Sequence, residues 1–348
     1  MRRAATAALL AFLISIPLWV GNLYVLHVLI VTGIFTIAAM SLNLLLGYTG
    51  QLSLGHVAFF GIGAYVSSLV SLGFSVHLAP DWLVTLAPQP VWLAMLWAIA
   101  ISGFCGWAIG RISFKVRGAY FVIVTISFAE VVRLVALNWD ELTNGPMALN
   151  NIPPLTVSIP GVIDFSFIGK VPNYYLVLAA AIVAYVVIAR LVHSKAGRAM
   201  IALKENEPLA MSVGIEVTRY LVLSAVVSAA IAGMAGALYA QYIQIVDPNI
   251  FLFIYTVTMV IMVVVGGKGT LAGPIVGGVI FGLLPEGLRS FEIPPELQWV
   301  AYGVMMIVIV SIMPSGIVPA LSRWWNDRAR ANAKPAEASE AGARQAAQ

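Results

Sequence analysis

Long apolar runs, repeated along almost the whole chain, constrain its fold more than any other feature. Apolar residues make up 61% of the 348 residues and charged residues 10%, whereas soluble domains have roughly 45–50% and 25%. This composition leaves too little polar surface for a soluble protein, so lipid is the solvent for most of the chain. Runs of roughly 20 apolar residues can cross a bilayer as helices. The sequence therefore predicts an all-α polytopic integral membrane protein.

Ten runs of this kind predict about ten transmembrane helices in one domain, residues 1–322. The predicted spans are residues 4–20, 24–46, 52–72, 92–110, 119–137, 174–192, 221–245, 251–265, 271–288 and 297–313. A close-packing face of small residues is predicted on the seventh span, at residues 229–240. The tail, residues 323–348, lacks periodic apolar residues and is predicted to be disordered in the cytoplasm.

The basic residues test this layout, because lysine and arginine near the ends of spans are retained on the cytoplasmic side. With the N-terminus inside, sixteen of the 19 basic residues fall on the cytoplasmic face, Lys170 and Arg289 fall outside, and Arg133 lies within a span. The charges therefore favour ten spans with both termini in the cytoplasm. Because the cations are spread along membrane borders, the net charge of +4 needs no nucleic-acid partner.

One polar stretch, residues 193–219, interrupts the apolar pattern and predicts a cytoplasmic loop with its own structure. Ser194 can cap a short helix that ends near Asn206, and Pro208 can begin a second helix that ends at Gly214. Docking of a partner and an amphipathic connection lying on the bilayer both fit this pattern. The apolar residues predicted to be available for contact are Ala199, Ala202, Leu203, Leu209, Ala210 and Val213.

Residues 47–65 bring polar groups into the start of the third span. Gln51, Ser53 and His56 need protein or water partners at membrane depth, so this face is predicted to point inward. It can line a translocation path, or it can be a polar helix start at the cytoplasmic border. The segment also resembles residues 269–282, which suggests an internal repeat.

Glu130 and Arg133 are charges within the fifth predicted span, three residues apart on one helix face. An unpaired arginine at the centre of a span costs roughly 2.5–3.5 kcal/mol or more. Mutual neutralisation is the simpler interpretation of the pair. A contact with substrate or a gate near the external mouth of a translocation path is the alternative.

Sequence motifs of enzymes and metal sites are missing. The run GGKGT at residues 266–270 is not a phosphate-binding loop. Such a loop would require glycine where this chain has Met262, and serine or threonine where it has Gly269. The four histidines are scattered, and Cys105 is the single cysteine, so no cofactor or metal is predicted. An ion-coupled secondary transporter would need ionisable groups near the midplane, for which Glu130 is the candidate. A membrane enzyme would need a cluster of reactive groups.

Five blocks in the chain resemble the permease subunits of branched-chain amino acid importers in the ATP-binding-cassette superfamily. They are similar to the longer permease of the two-permease pair, and the likeness runs over most of the chain. The blocks are LNLLLGYTGQLSLGHVAFFGIGAY, FAEVVRLVALNWDELTNGPMALNNIP, GRAMIALKENEPLAMSVGIEVTRYL, SAAIAGMAGALYA and MVVVGGKGTLAGPIVG.

The resemblance implies a transport subunit in the bacterial inner membrane, with no enzymatic activity of its own. It implies four partners: a second permease, two cytosolic ATPases that use ATP and Mg²⁺, and an external amino-acid-binding protein. Branched-chain or other hydrophobic amino acids are the implied substrates, and urea or short amides are the alternative. Pairing of the chain with a second copy of itself is left open.

The resemblance also implies that the loop that couples permease to ATPase lies within residues 197–214. Pro208 stands where the family usually has an acid, with Glu207 one place earlier, and Ala148 stands where relatives often have glycine. The residues implied in coupling are Gly197, Arg198, Ala202, Lys204, Glu205, Asn206, Glu207, Ala210 and Gly214.

Overall fold

The structure, a computed structural model, describes residues 2–79, 82–116, 118–159, 163–290 and 294–325. A π-helical turn, Leu44–Thr49, continues the second helix, and 3₁₀ turns lie at Gly145–Met147 and Pro248–Phe251. The α-helices are α1 (Arg2–Trp19), α2 (Leu23–Asn43), α3 (Val57–Leu72), α4 (Val91–Ser113), α5 (Ala119–Asn138), α6 (Asp140–Thr143), α7 (Lys170–Val192), α8 (Lys195–Glu205), α9 (Glu207–Ser212), α10 (Val217–Ile243), α11 (Phe253–Gly266), α12 (Gly273–Ser290) and α13 (Pro295–Ile312).

Each of the ten predicted spans coincides with a helix of the structure. Among the described residues, five helices are long and apolar enough to cross a membrane: α2 with its π-helical turn, α4, α5, α7 and α10. Shorter apolar helices include α3, α11 and the first part of α12. The helical, multi-pass class is therefore confirmed, while the number of crossings stays a prediction.

The third predicted span begins at Val57 rather than at Leu52. The π-helical turn ends at Gly50, which has a left-handed backbone with φ of 74°. Glycine adopts this conformation without the steric cost that a side chain brings. The chain then runs outside regular helix until α3 begins, so the half-buried Leu52 and Leu54 belong to a loop and not to the span.

Two β-hairpins, absent from the all-α prediction, lie in the connections between helices. β1 (Phe74–Ala79) pairs antiparallel with β2 (Trp82–Leu86) between α3 and α4. β3 (Thr156–Ile159) pairs antiparallel with β4 (Ile163–Ser166) between α6 and α7. Their β-branched and aromatic residues favour strands, but each run is too short to stand out in a search for spanning helices.

The centre of the bundle is α10, which packs against α3 and α4. Gly233 and Gly236 are buried on α10, and a methyl group on them would overlap Ser102 of α4 and the Phe60 carbonyl of α3, respectively. Helices in lipid associate through such close backbone approach at small residues. The predicted close-packing face of residues 229–240 is confirmed.

The bundle has two ends of different character. At the connector end, α2 and α4 finish and α5 and α10 begin around an apolar cluster, and α8 and α9 join α7 to α10 there. The far end is where α7 begins at Lys170 and α10 finishes at Ile243. The predicted disordered tail starts inside a helix, residues 317–325, and its remainder lies outside the described residues. The apolar cluster consists of Leu45, Phe114, Phe121, Leu221, Val222 and Ala225.

Candidate functional site

Two short helices, α8 and α9, form a connector between α7 and α10, residues 195–213, which includes the C-cap residue Val213. The Ser194 hydroxyl caps α8 by accepting hydrogen bonds from the N–H groups of Ala196 and Gly197 at 3.1 and 3.4 Å. The Asn206 side chain caps α9 by accepting from the Leu209 N–H at 3.0 Å. Such caps satisfy amides that the start of a helix leaves without partners. The predicted pair of helices is confirmed, with its bend at Asn206.

Gly197 lets α8 fold back against the end of α7. The glycine is buried, and a methyl group there would overlap the backbone carbonyl oxygens of Leu191 and Val192. Met200 and Leu203 are buried on the same helix. A larger residue at position 197 would therefore separate the connector from the bundle.

The other side of the connector exposes large apolar residues. Leu209, Met211 and Val213 are 63%, 51% and 72% exposed. The predicted contact surface is thus smaller than the sequence suggested, because one face of each short helix packs on the bundle. Three residues predicted to be available are instead buried: Ala199, Leu203 and Ala210.

The residues implied in coupling lie on both faces of the connector and just beyond it. The exposed set brings charges of both signs to the surface beside the apolar residues. Their role in coupling stays a prediction. Gly197 and Ala210 are buried, Ala202 and Glu207 are half-buried, and Arg198, Lys204, Glu205, Asn206 and Gly214 are exposed.

A buried asparagine links α2 to the loop that precedes α12. Asn43 is 2% exposed. Its Oδ1 accepts a hydrogen bond from the Gly269 N–H at 2.9 Å, and its Nδ2 donates to the Thr270 carbonyl at 2.9 Å. Gly47 approaches so closely that a methyl group there would overlap the Gly269 backbone. The two segments of similar sequence therefore meet directly. Sequence reasoning missed Asn43, which lies four residues before the segment that resembles residues 269–282.

The connector touches this junction. α8 packs against the π-helical turn that follows α2, and a methyl group at Gly50 would lie 3.3 Å from the Lys204 Cγ atom. α8 is therefore in contact with the segment that joins α2, through Asn43, to the loop before α12.

The polar residues predicted to line a translocation path lie inside the bundle. Ser53 is 2% exposed, His56 is fully buried, and Gln51 is half-buried. The His56 Nε2 atom is hydrogen-bonded to the Ser41 hydroxyl at 2.8 Å. The Ser228 hydroxyl of α10 donates to the Ser41 carbonyl at 2.5 Å. The inward orientation of Ser53 and His56 is confirmed, whereas the place of all three residues in a path stays a prediction.

Glu130 and Arg133 form an ion pair on the outer surface of this chain. Arg133 donates from Nε to Oε2 at 2.9 Å and from Nη2 to Oε1 at 2.6 Å. The predicted pairing is confirmed. The Glu130 side chain is 52% exposed and the Arg133 side chain 22%. Val131 and Leu134 beside them are exposed as well.

These features define the class, a multi-pass helical membrane protein with a structured connector at one end. Among the residues that the structure describes, no group of three or more His, Cys, Asp or Glu side chains could hold a metal ion. A family model for the permease component of branched-chain amino acid transport systems matches residues 24–310. The chain therefore belongs to this family of transport permeases.

Individual relatives agree with this assignment. The chain is 31% identical over 330 residues to the high-affinity branched-chain amino acid transport system permease protein LivM of Salmonella typhimurium, covering 90% of this chain and 74% of the relative. LivM of Escherichia coli K12 is 30% identical with the same coverage. LivH of Salmonella typhimurium is 26% identical over 298 residues, covering 82% of this chain and 91% of the relative. The resemblance to the longer permease is confirmed. No solved structure matches the chain.

Proposed function

We propose that this chain is the longer permease of an ATP-driven importer for branched-chain amino acids and forms the translocation path with a second permease. The connector supports the proposal most directly: one face packs on the bundle, and the other exposes Leu209, Met211 and Val213, which would face the cytoplasm. The similarity to both LivM and LivH supports a pair of related permeases.

The exposed face of the connector is the proposed docking surface for the ATPases. Apolar surface in water costs about 25 cal/mol per Å², so a partner that covers Leu209 and Val213 gains free energy. Exposed Arg198, Lys204 and Glu205 beside them can select the partner and its orientation. ATP and Mg²⁺ would act in the ATPases. This chain would supply the translocation path and would transmit the movement of the ATPases to its helices.

The connector would transmit this movement through the contacts of α8 with the bundle. When the ATPases close, α8 would move against the π-helical turn and α10, which it contacts. Asn43 would pass the movement to the loop before α12. Access would then alternate between the two sides by a rigid-body shift of helices.

The proposed topology has ten crossings of the bacterial inner membrane with both termini in the cytoplasm. Arg111 and Arg190 lie in the last turns of α4 and α7, both at the connector end. Lys268 lies beside the junction with Asn43 at the same end. Lys170 begins α7 at the opposite end. This distribution agrees with retention of basic residues on the cytoplasmic side.

The ion pair on α5 supports a second permease against this face. Glu130 is exposed on a helix long enough to cross the membrane, and even a neutralised pair is poorly solvated by lipid. A second permease that covers the pair, or a water-filled path between the two permeases, would remove that contact. Glu130 and Arg133 therefore remain proposed path residues, together with Gln51, Ser53 and His56 from the inner side.

Branched-chain amino acids are the first proposed substrates because both LivM relatives are named for their transport. A fructose import permease, FrcC of Rhizobium meliloti, is also similar, at 24% identity over 282 residues. Competition against labelled leucine uptake by isoleucine and valine, but not by urea or fructose, is the expected result. Competition by urea alone would favour the amide alternative.

Docking is tested by replacing both Leu209 and Val213 with serine. Each buried apolar side chain contributes about 1.5–3 kcal/mol, so co-purification of the ATPases and leucine uptake should fall by roughly tenfold or more. Ile112→Ser is the matched control, since Ile112 is 64% exposed and lies outside the connector. Full uptake by the double variant would refute the docking surface. Uptake driven by an ion gradient in nucleotide-depleted vesicles would favour a secondary transporter.

A further inference from the structure

A short helix, residues 317–325, follows α13 after a sharp turn. Gly316 in this turn has a left-handed backbone with φ of 86°, which glycine adopts without steric cost. The Gly316 N–H donates to the Met313 carbonyl at 2.7 Å and closes the turn. The 317–325 helix is therefore a separate element and not a continuation of α13.

The beginning of the 317–325 helix packs against the loop that joins α11 to α12. A methyl group at Gly267 would overlap the Pro319 Cδ atom, and one at Gly316 would overlap the Gly267 backbone. Backbones approach this closely only where a side chain is missing. The helix then extends beyond this contact, and all of residues 321–325 are exposed.

Three cations lie around the same loop. Lys268 belongs to the loop and is exposed. On one side, a methyl group at Gly269 would lie 3.4 Å from the Lys204 Nζ atom. On the other side, the Arg323 guanidinium donates a hydrogen bond to the Ser315 hydroxyl in the turn that contacts the loop. Positive charge thus comes to one place from α8, from the loop and from the 317–325 helix.

These cations have no acidic partners within the described chain. Among the residues that the structure describes, none of the three forms an ion pair with a carboxylate. Glu205 follows Lys204 in the sequence and offsets its charge, which leaves Lys268 and Arg323 uncompensated. Residues 326–334 add three basic residues and one acid to the sequence beyond the helix. The local charge therefore favours an anion from outside the chain.

The 317–325 helix also exposes large apolar side chains beside these charges. Leu321 and Trp325, which are one turn apart on one helix face, are 58% and 69% exposed. Tryptophan is enriched where a bilayer meets water, because its ring is largely apolar and its N–H is polar. Clusters of basic residues just beyond the cytoplasmic end of a span attract anionic headgroups. The helix combines both features, which fits the headgroup region of a bilayer.

We infer that the 317–325 helix and the loop before α12 form a binding site for an anionic phospholipid of the cytoplasmic leaflet. Lys268 and Arg323 bind the headgroup phosphate. Arg323 does so while it keeps its bond within the turn, since a guanidinium has five donors. Leu321 and Trp325 enter the boundary between the headgroups and the acyl chains. The inference rests on the proposed topology, which puts the connector end in the cytoplasm.

The first test measures lipid binding to the intact importer in mild detergent by native mass spectrometry. Phosphatidylglycerol is the anionic probe, and phosphatidylcholine, which has no net charge, is the reference lipid. The parent should bind phosphatidylglycerol more tightly. The double variant Lys268→Gln with Arg323→Gln should bind it about tenfold more weakly or worse, because each basic residue near an anionic surface strengthens binding by about fivefold.

Two control variants separate the site from charge in general and from packing. Arg111→Gln with Lys115→Gln removes the same charge from exposed residues at the same end of the bundle and should bind phosphatidylglycerol as the parent does. Lys268→Arg with Arg323→Lys keeps both charges and should also bind as the parent does. A loss in the first control equal to that in the Gln variant of the site would overturn the assignment.

The second test determines what covers the helix in the assembled importer in lipid nanodiscs. Leu321→Cys with Cys105→Ala, in an importer whose partner subunits lack cysteine, carries one spin label on this helix. Oxygen partitions into the bilayer, whereas a nickel chelate stays in water. Relaxation of the label mainly by oxygen is the expected result. Relaxation mainly by the chelate would place the helix in water, and relaxation by neither would show that a protein such as an ATPase covers it; both results would overturn the proposal.

Three results of the binding measurement would also overturn the lipid site. They are equal affinity of the parent for the two lipids, unchanged affinity in the Gln double variant, and displacement of phosphatidylglycerol by inorganic phosphate, which would assign the cations to a soluble anion. If the double variant fails to assemble, the lipid preference of the parent and the spin label at position 321 still decide the proposal. None of these results measures uptake, so the proposed import function would stand. An importer that binds the lipid as expected but does not transport leucine would contradict the import function alone.

Discussion

The two ends of the bundle use polar side chains in opposite ways. At the connector end, Ser194 and Asn206 cap helices and Asn43 links α2 to the loop before α12, so the outward face is left to apolar residues and exposed charges. At the far end, Lys170 and Gln241 lie in the wall of a cavity, and the buried Gln241 Oε1 atom has no hydrogen-bond partner among the described residues. At one end the polar side chains thus fix helices to one another, and at the other they line a cavity.

The attachment of the connector gives the largest predicted effect. Gly197→Ala adds a methyl group that would overlap the carbonyl oxygens of Leu191 and Val192. Overpacking of this kind costs about 1–3 kcal/mol and shifts α8 away from α7. We expect leucine uptake by the assembled importer to be abolished, with the protein still present in the membrane at parental levels.

A second glycine provides the matched control. Gly303 is a helical residue of α13 with no atom within 4 Å of an added methyl group. Gly303→Ala should leave uptake intact and can stabilise the helix by up to about 1 kcal/mol. Equal losses of uptake in the two variants would show that close packing of α8 is not what matters.

The junction at Asn43 comes next, with a predicted loss of stability where Gly197→Ala abolishes uptake. Asn43→Leu would leave the Gly269 N–H and the Thr270 carbonyl without their partner, at about 1–3 kcal/mol each. Thermal unfolding in detergent should show a clear loss of stability. Asn138→Ala is the comparison, because Asn138 is exposed and bonds within its own helix. A similar small loss in both variants would argue against the junction.

Backbone strain at Ala148, between α6 and α7, gives a smaller effect, and a substitution that relieves it should stabilise the protein. Ala148 has φ of 62° and ψ of 158°, a region that is almost restricted to glycine and costs of order 1–3 kcal/mol. Ala148→Gly should therefore raise the melting temperature. Ala179→Gly in α7 should lower it, by about 1 kcal/mol of stability. A loss of stability in both would contradict the strain.

The smallest effect concerns the exposed pair formed by Glu141 of α6 and His77 of β1. The His77 side chain and backbone N–H bond to the carboxylate at 2.5 and 3.0 Å and lower the pKa of Glu141. Stability from a lowered pKa is present above the unfolded value, about 4.3, and is lost as the pH falls through the folded value. Glu141→Gln should flatten the acid side of a melting-temperature profile. An unchanged profile would show that the pair does not contribute to stability.

Much of this architecture could be predicted from the sequence, because hydropathy and lysine and arginine placement report directly on the lipid environment. The small-residue face around Gly233 and the cap at Ser194 also follow from local rules. The Asn43 junction could not be predicted, since its two hydrogen bonds join residues separated by 226 and 227 positions in the sequence. The cavity at Lys170 is equally non-local, because α2, α7 and α10 each supply part of its wall.

One crosslinking measurement tests the central claim most directly. Val213→Cys, combined with Cys105→Ala, places a single thiol on the most exposed apolar residue of the connector end, which is 72% exposed. A short thiol-to-amine crosslinker is then applied to native membranes, and the products are identified by mass spectrometry. The account predicts a product that joins this chain to a nucleotide-binding subunit. Efficient modification of the thiol without any such product, in membranes that import leucine, would contradict it.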